Sequence, residues 1–193
     1  MRSSLADQGD AELAGLALAG QQDAYGELMR RHREGVFRLA RGHAGDATEA
    51  IDITQETFIS AFAALARYDG ARPFRLWIAR IAINKCHDWA RRRAVRRFFT
   101  FARPMEEAAT VADNALTPEE AMQSQAELAR IHAAIAVLPA NLKDVLLLRT
   151  IEGMSQAEVA QTLGLSEKAV ETRLYRARQK LAEFLRGDGS TRV

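Results

Sequence analysis

The sequence predicts an all-α protein, with two small helical domains joined by a flexible linker and a helix-turn-helix in the C-terminal one. Three observations predict it. Apolar residues recur at helical spacing along most of the chain. Between about Phe98 and Leu116 that periodicity lapses and the local charge changes sign. The run MSQAEVAQTLGLSEKAVETRLYRAR, from Met154 to Arg178, carries the start, stop and restart signals of two short helices. The division this implies is 1–97, a linker 98–116, and 117–193.

Leu13 and Leu16 suggest a first helix, and Tyr25, Leu28, Val36 and Leu39 form the stripe of a second. His32 stands among Arg30, Arg31 and Arg33, and His43 in a glycine-flanked loop. Nothing pairs them at ligand spacing, so both are expected at the surface rather than on a metal. Glu49 to Leu65, EAIDITQETFISAFAAL, places Ile51, Phe58, Phe62 and Leu65 on a buried stripe. Asp52 and Glu56 lie one turn apart beside Ile53 and Ile59, a mixed acidic and apolar surface suited to a partner protein and repellent to DNA. An ordinary solvated helix accounts for these residues equally well.

Tyr68, Asp69 and Gly70 break the pattern, and Pro73 suits the opening turn of the helix PFRLWIARIAINKCHDWARRR. Phe74, Trp77, Ile78, Ile81 and Trp89 are mixed there with Arg72, Arg75, Arg80 and Lys85, and Arg91, Arg92, Arg93, Arg96 and Arg97 follow. Aromatic faces stack on unpaired bases and guanidinium groups follow a phosphate backbone, which is the combination a single-strand binder needs. Ile78, Ile81 and one tryptophan are expected in the core. Cys86 and His87 are adjacent, about 100 degrees apart on a helix, which argues against joint metal binding.

Phe98, Phe99 and Phe101 precede Arg103, Pro104 and an acidic, alanine-rich stretch with Glu106, Glu107 and Asp113, before Thr117 and Pro118 reopen a helix. Leu128, Ile131, Ile135 and Leu138 form the next stripe, Pro139 ends it, and Leu142, Val145, Leu146 and Leu148 supply another. His132 is expected on the exposed side.

In the C-terminal run, Ser155 with Glu158 is a capping box, and Val159, Ala160 and Leu163 give an apolar face. Gly164 stands where a helix stops, and Ser166 is the next N-cap. Val170, Leu174, Ala177 and Leu181 bury one side of the second helix, which leaves Lys168, Thr172, Tyr175 and Arg176 outward. Such a second helix enters the major groove. A helical hairpin with a solvated charged face is the alternative, since Glu167, Glu171 and Glu183 dilute the positive charge.

Across 193 residues the net charge is only +2, with Lys+Arg 27 against Asp+Glu 25, so a nucleic-acid footprint must come from local clustering. One cysteine excludes an internal disulfide framework and fits a reducing cytoplasm. No apolar run approaches a membrane span, and Asp7, Asp10 and Glu12 interrupt any signal-peptide core. No phosphate loop, no metal-spaced His/Cys set and no nucleophile beside a base stands out, so no catalytic residue, metal site or cofactor is expected.

From about Ala19 to Leu185 the chain resembles the extracytoplasmic-function sigma factors, the small two-domain specificity subunits of bacterial RNA polymerase. The resemblance rests on DITQETF at Asp52 to Phe58, on WIARIAIN at Trp77 to Asn84 with Asp88 and the arginines after it, and on Leu138-Pro139 followed by the helix-turn-helix ending in RLYRARQKL. It implies that Asp52, Gln55 and Glu56 dock on the core polymerase. It implies that Tyr68, Asp69, Phe74, Trp77, Arg80, Asn84, Arg91 and Arg92 melt and hold the single-stranded minus-10 element. It implies that Ser166, Lys168, Glu171, Thr172, Arg173 and Arg176 read the minus-35 duplex. The linker would pass near the polymerase active-site channel. An anti-sigma factor, often membrane-bound, is the further partner implied, with the chain cytoplasmic or held at the inner membrane. Lys168, Ala169 and Val170 replace the Gly-Thr-Val common at the start of the recognition helix, and the Phe98, Phe99 and Phe101 cluster is also a departure. The competing function is a helix-turn-helix regulator that binds duplex DNA without polymerase.

Overall fold

The computed structural model describes residues 4–99, 127–128 and 130–187, whose regular structure is helical throughout. The elements are α1 (Asp10–Leu18), α2 (Gln22–Ala44), α3 (Ala47–Ala63), α4 (Phe74–Phe99), α5 (130–136), α6 (Ala140–Thr150), α7 (Gln156–Leu163) and α8 (Glu167–Gly187), with short 3-10 turns at Leu5–Asp7 and Leu65–Arg67. Two helical regions result, 10–96 and 130–186.

Local chemistry sets the boundaries. Gly45 ends α2 in the left-handed conformation at φ 75, and Asp46 then caps α3 by accepting from the Glu49 amide at 2.9 Å. Pro139, which lacks a donor, caps α6 instead of interrupting a helix, and its carbonyl accepts from the Leu142 and Lys143 amides at 2.9 Å. Arg31 holds the N-terminal turn in place: its guanidinium donates to the Leu5, Ala6 and Gln8 carbonyls and pairs with Asp10 and Glu27. The neighbouring Arg30 and Arg31 hold the Glu27 carboxyl well below its usual range, at about 2.

Leu13, Leu28, Leu39, Phe58, Leu65, Phe74, Ile78 and Ile83 fill the first region, and Val145, Leu147, Leu148, Met154, Val159 and Val170 the second. These belong to a single continuous apolar cluster, so the two regions share a core. Glycine permits the approach: a Cβ at Gly42 on α2 would lie 2.8 Å from the Leu147 side chain of α6, and one at Gly35 would lie 2.7 Å from the Glu152 carboxylate. Arg75 of α4 pairs with Glu158 of α7, and Arg38 of α2 with Glu152 at 3.5 Å, around the rim.

Two expectations need correction. Ile51 is 47% exposed and Ile53 1%, because the buried stripe of α3 runs through Ala50, Ile53, Thr57, Phe58 and Ala61. His43 stands in the last turn of α2, not in a loop, and is buried against the second region. The helical backbone of α4 is described through Phe99, while Phe101, the acidic stretch and the Thr117-Pro118 restart lie outside the described residues. Among the described residues no helix is long and apolar enough to cross a membrane.

Candidate nucleic-acid interface

The helix-turn-helix forms as its caps dictate. Ser155 Oγ accepts from the Glu158 amide at 3.2 Å while Glu158 accepts from the Ser155 amide at 2.8 Å, satisfying two donors at the start of α7. Those bonds, with Arg75 nearby, hold the Glu158 carboxyl below its usual range. Gly164 takes φ 67, and the Leu165 amide reaches back to the Ala160 carbonyl at 2.9 Å. Ser166 Oγ accepts from the Ala169 amide at 3.2 Å, and Gln156 Nε2 donates to the Glu167 carbonyl at 2.9 Å, locking the angle between α7 and α8.

Val170 and Ala177 are fully buried on the inner side of α8. Lys168, Glu171, Tyr175 and Arg176 are exposed on the outer side, whereas Thr172 and Arg173 are half-buried. Lys168 pairs with Glu171 at 2.8 Å, and the Thr172 hydroxyl donates to the Lys168 carbonyl at 2.9 Å, so the first turn is partly neutralised and internally bonded. Tyr175 had no place among the candidate contacts, yet it is 62% exposed in the middle of the helix, where its hydroxyl accepts from Gln179 Nε2 at 2.9 Å. Its signal in the sequence was its place one turn after Glu171 on the outward face.

On α4 the aromatic group is a wall rather than a row of free faces. Tyr68, Phe74 and Trp77 pack with ring centroids 5.1 to 5.3 Å apart. Phe74 is 1% exposed, so any part it takes at a strand is indirect, whereas Tyr68 and Trp77 are half-buried and keep an open edge. The preceding loop is closed on itself: Tyr68 donates to the Arg72 carbonyl at 2.6 Å, and Asp69 accepts from the Ala71 amide at 3.0 Å. Burial pushes the Tyr68 phenol up, keeping it a neutral donor. Trp89 is buried, donates its indole N–H to Glu49 and carries Arg93 over its ring at 5.1 Å, so it serves the fold.

Arg80, Asn84, Arg91 and Arg92 are all exposed; the spacing keeps the first three on one side of α4, while Arg92 is turned about 100 degrees from Arg91. Three have protein partners. Arg80 donates to the Leu163 carbonyl of α7 at 3.3 Å, Arg91 pairs with Asp88, and Arg92 with Glu56 of α3. On α3, Asp52 and Gln55 are exposed, Glu56 is half-buried, and Ile51 and Ile59 stand out at 47% and 70% exposure. These five residues make one acidic and apolar face. Ile51 was missed as part of it because a helical stripe read without its neighbours has no absolute phase.

The chain is similar to known proteins over nearly its whole length. The family model described as sigma-70 region 2 matches residues 28–96, and that described as sigma-70 region 4 matches 128–181. The chain is 40% identical over 185 residues to the RNA polymerase sigma factor CnrH of Cupriavidus metallidurans, covering 94% of this chain and 97% of that protein. It is 33% identical over 181 residues to the ECF RNA polymerase sigma factor SigM of Mycobacterium tuberculosis, covering 93% and 86%. The solved structure of CnrH in complex with the cytosolic domain of CnrY superposes with TM-score 0.68 at 35% identity, over 94% of this chain and 99% of that one. The chain belongs to the sigma-70 family of RNA polymerase sigma factors, in its extracytoplasmic-function class.

Proposed function

We propose that the three exposed faces divide the work of a sigma factor, a non-catalytic subunit that brings polymerase to promoters. On this reading Asp52, Gln55 and Glu56, with Ile51 and Ile59 around them, dock on the clamp helices of the largest polymerase subunit. Tyr68, Asp69, Trp77, Arg80, Asn84, Arg91 and Arg92, backed by Phe74, hold the melted minus-10 strand. Ser166, Lys168, Glu171, Thr172, Arg173 and Arg176 face the minus-35 duplex, and Tyr175 joins them. The domains are 1–97 and 117–193, with 98–116 as the connection.

The observation that carries the reading is the α3 face: two large exposed isoleucines beside Asp52 and Glu56, on a chain whose neighbouring helix α4 is basic. Such a surface repels phosphate and suits protein. CnrH was solved bound to the cytosolic domain of CnrY. By analogy, an anti-sigma factor binds this chain in the cytoplasm, tethered at the inner membrane where that partner is anchored. The test is reconstitution with bacterial core polymerase and a genomic promoter library. A stable complex that initiates at defined sites supports the reading. Selective duplex binding without a polymerase complex replaces it with a plain helix-turn-helix regulator.

A further inference from the structure

Asp144, on the first turns of α6, is a buried carboxylate at 6% exposure that faces two histidines from the N-terminal region. Nε2 of His87 on α4 donates to its Oδ1 at 3.0 Å, and Nε2 of His43 on α2 lies 3.4 Å from the same oxygen. The adjacent Lys143 turns its ammonium to the Ala136 carbonyl at 3.0 Å, at the end of α5. A carboxylate of one helical region thus meets imidazoles of the other.

We propose that His87 and Asp144, packed beside the neutral His43, form a proton-operated clasp between the two helical regions, closed while His87 is protonated and loosened when it is not. Opening separates α7 from α4 and frees the Arg80 guanidinium, which in the closed state donates to the Leu163 carbonyl. That this face of α4 meets a promoter strand rests on the proposed function; the clasp itself does not.

The two histidines are not equivalent. Burial above all, then the Lys143 charge and His87, drives His43 down to about 3, so it is neutral and is no charge partner for Asp144. Its Nε2 accordingly has no hydrogen-bond partner among the described residues. His87 is half-buried and within reach of water. Its bond to Asp144 raises its pKa, against burial and the charges of Arg91 and Arg80 on the same helix. Cys86 beside it is pushed up to about 12 by burial and stays a neutral thiol. Burial also lowers Lys143. The other acidic groups packed against α4 are engaged elsewhere: Glu49 by Trp89, Glu56 by Arg92 and Glu158 by Arg75. The rim pairs Arg38–Glu152 and Arg75–Glu158 also join the two regions and involve no histidine.

With the regions apart, His87 loses Asp144 and returns to its ordinary value of about 6.5. The closed form therefore binds the proton more tightly. Closure gains its full contribution below about 6.5 and loses it as pH rises through the higher closed-state value.

The test is small-angle scattering of the full chain between pH 6 and pH 8.5, with the His87 imidazole followed by NMR. The expected radius of gyration is about 16 Å at the acidic end, as for a compact chain of this length, rising by several ångströms at the basic end with the midpoint of the His87 titration. His87→Gln should abolish the dependence, and Asp144→Asn should abolish it and return His87 to its ordinary pKa. A radius that stays constant in the unaltered chain, or a His87→Gln variant that still expands, would overturn the proposal. So would a His87 pKa at or below its ordinary value, which needs no variant. Failure to bind polymerase would remove the reading of α4 and leave these results intact.

Discussion

Nη2 of Arg92 donates to both carboxylate oxygens of Glu56 at 3.1 Å, joining the arginine run of α4 to the acidic face of α3. The side chains are 50% and 40% exposed, so solvent screens the pair and it contributes at most about 1 kcal/mol. On the proposed reading, a bond that weak exchanges readily when polymerase takes Glu56 and leaves Arg92 to face phosphate. Reversing both charges, Asp52→Lys with Glu56→Lys, should lower affinity for core polymerase by about tenfold or more, a loss of about 1.4 kcal/mol. Binding to minus-35 duplex should stay unchanged. Fluorescence anisotropy against both partners checks it, and normal polymerase affinity removes the docking assignment.

Arg176 is exposed on the outer face of α8, and among the described residues it has no carboxylate partner such as Glu171 provides for Lys168. Arg176→Ala should weaken duplex binding by roughly 1–3 kcal/mol if the residue reads a base, or flatten the salt dependence by about one unit of slope if it touches phosphate. Polymerase affinity should not change. An equal fall in both would contradict the division of labour between α3 and α8.

Gly42 faces α6 so closely that a methyl group there would meet two Leu147 methyls at 2.8 and 3.0 Å and Ile151 at 3.2 Å. Leu147 is fully buried and has little room to retreat. Gly42→Val should cost about 1–3 kcal/mol by overpacking. It should also expand the chain at every pH, as read by thermal melting together with scattering. A variant as compact and as stable as the parent would show that the regions pack less tightly at this point.

Cys86 is 1% exposed, and burial pushes its thiol up to about 12, so the reactive thiolate is scarce at ordinary pH. At pH 8 a thiol-specific disulfide reagent should react with the folded chain far more slowly than with the denatured chain. Equal rates would place Cys86 in an accessible position.

The Ser155 cap supports both the turn geometry and the carboxylate that meets Arg75. Ser155→Ala should cost about 1 kcal/mol of stability, measured by chemical denaturation. Glu158 has a lowered pKa in the folded chain. Its contribution is therefore present above the ordinary carboxylate range and is lost as pH falls through the lower folded value. Glu158→Gln should accordingly narrow its stability deficit under acid conditions, and a deficit independent of pH would exclude that role.

Most of the helices and the caps of the helix-turn-helix were legible in the sequence because they depend on near neighbours. Ser155 and Glu158 are three residues apart, Gly164 needs only its own freedom at positive φ, and the stripe of Val170 and Ala177 repeats at the period of the helix itself. The motifs that marked DITQETF and the basic helix after Pro73 were local in the same sense. Tertiary structure decided what is brought together across long stretches of chain. It turned Ile51 outward, drew Phe74 into the core and made Arg92 a partner of Glu56. It also buried His43 beside Asp144 and laid α7 over Arg80. None of these follows from helical periodicity, which orders residues around an axis but leaves open which side meets another helix. That choice belongs to the fit between surfaces: glycines where backbones approach, a shared apolar core, and charges that find partners far away in sequence.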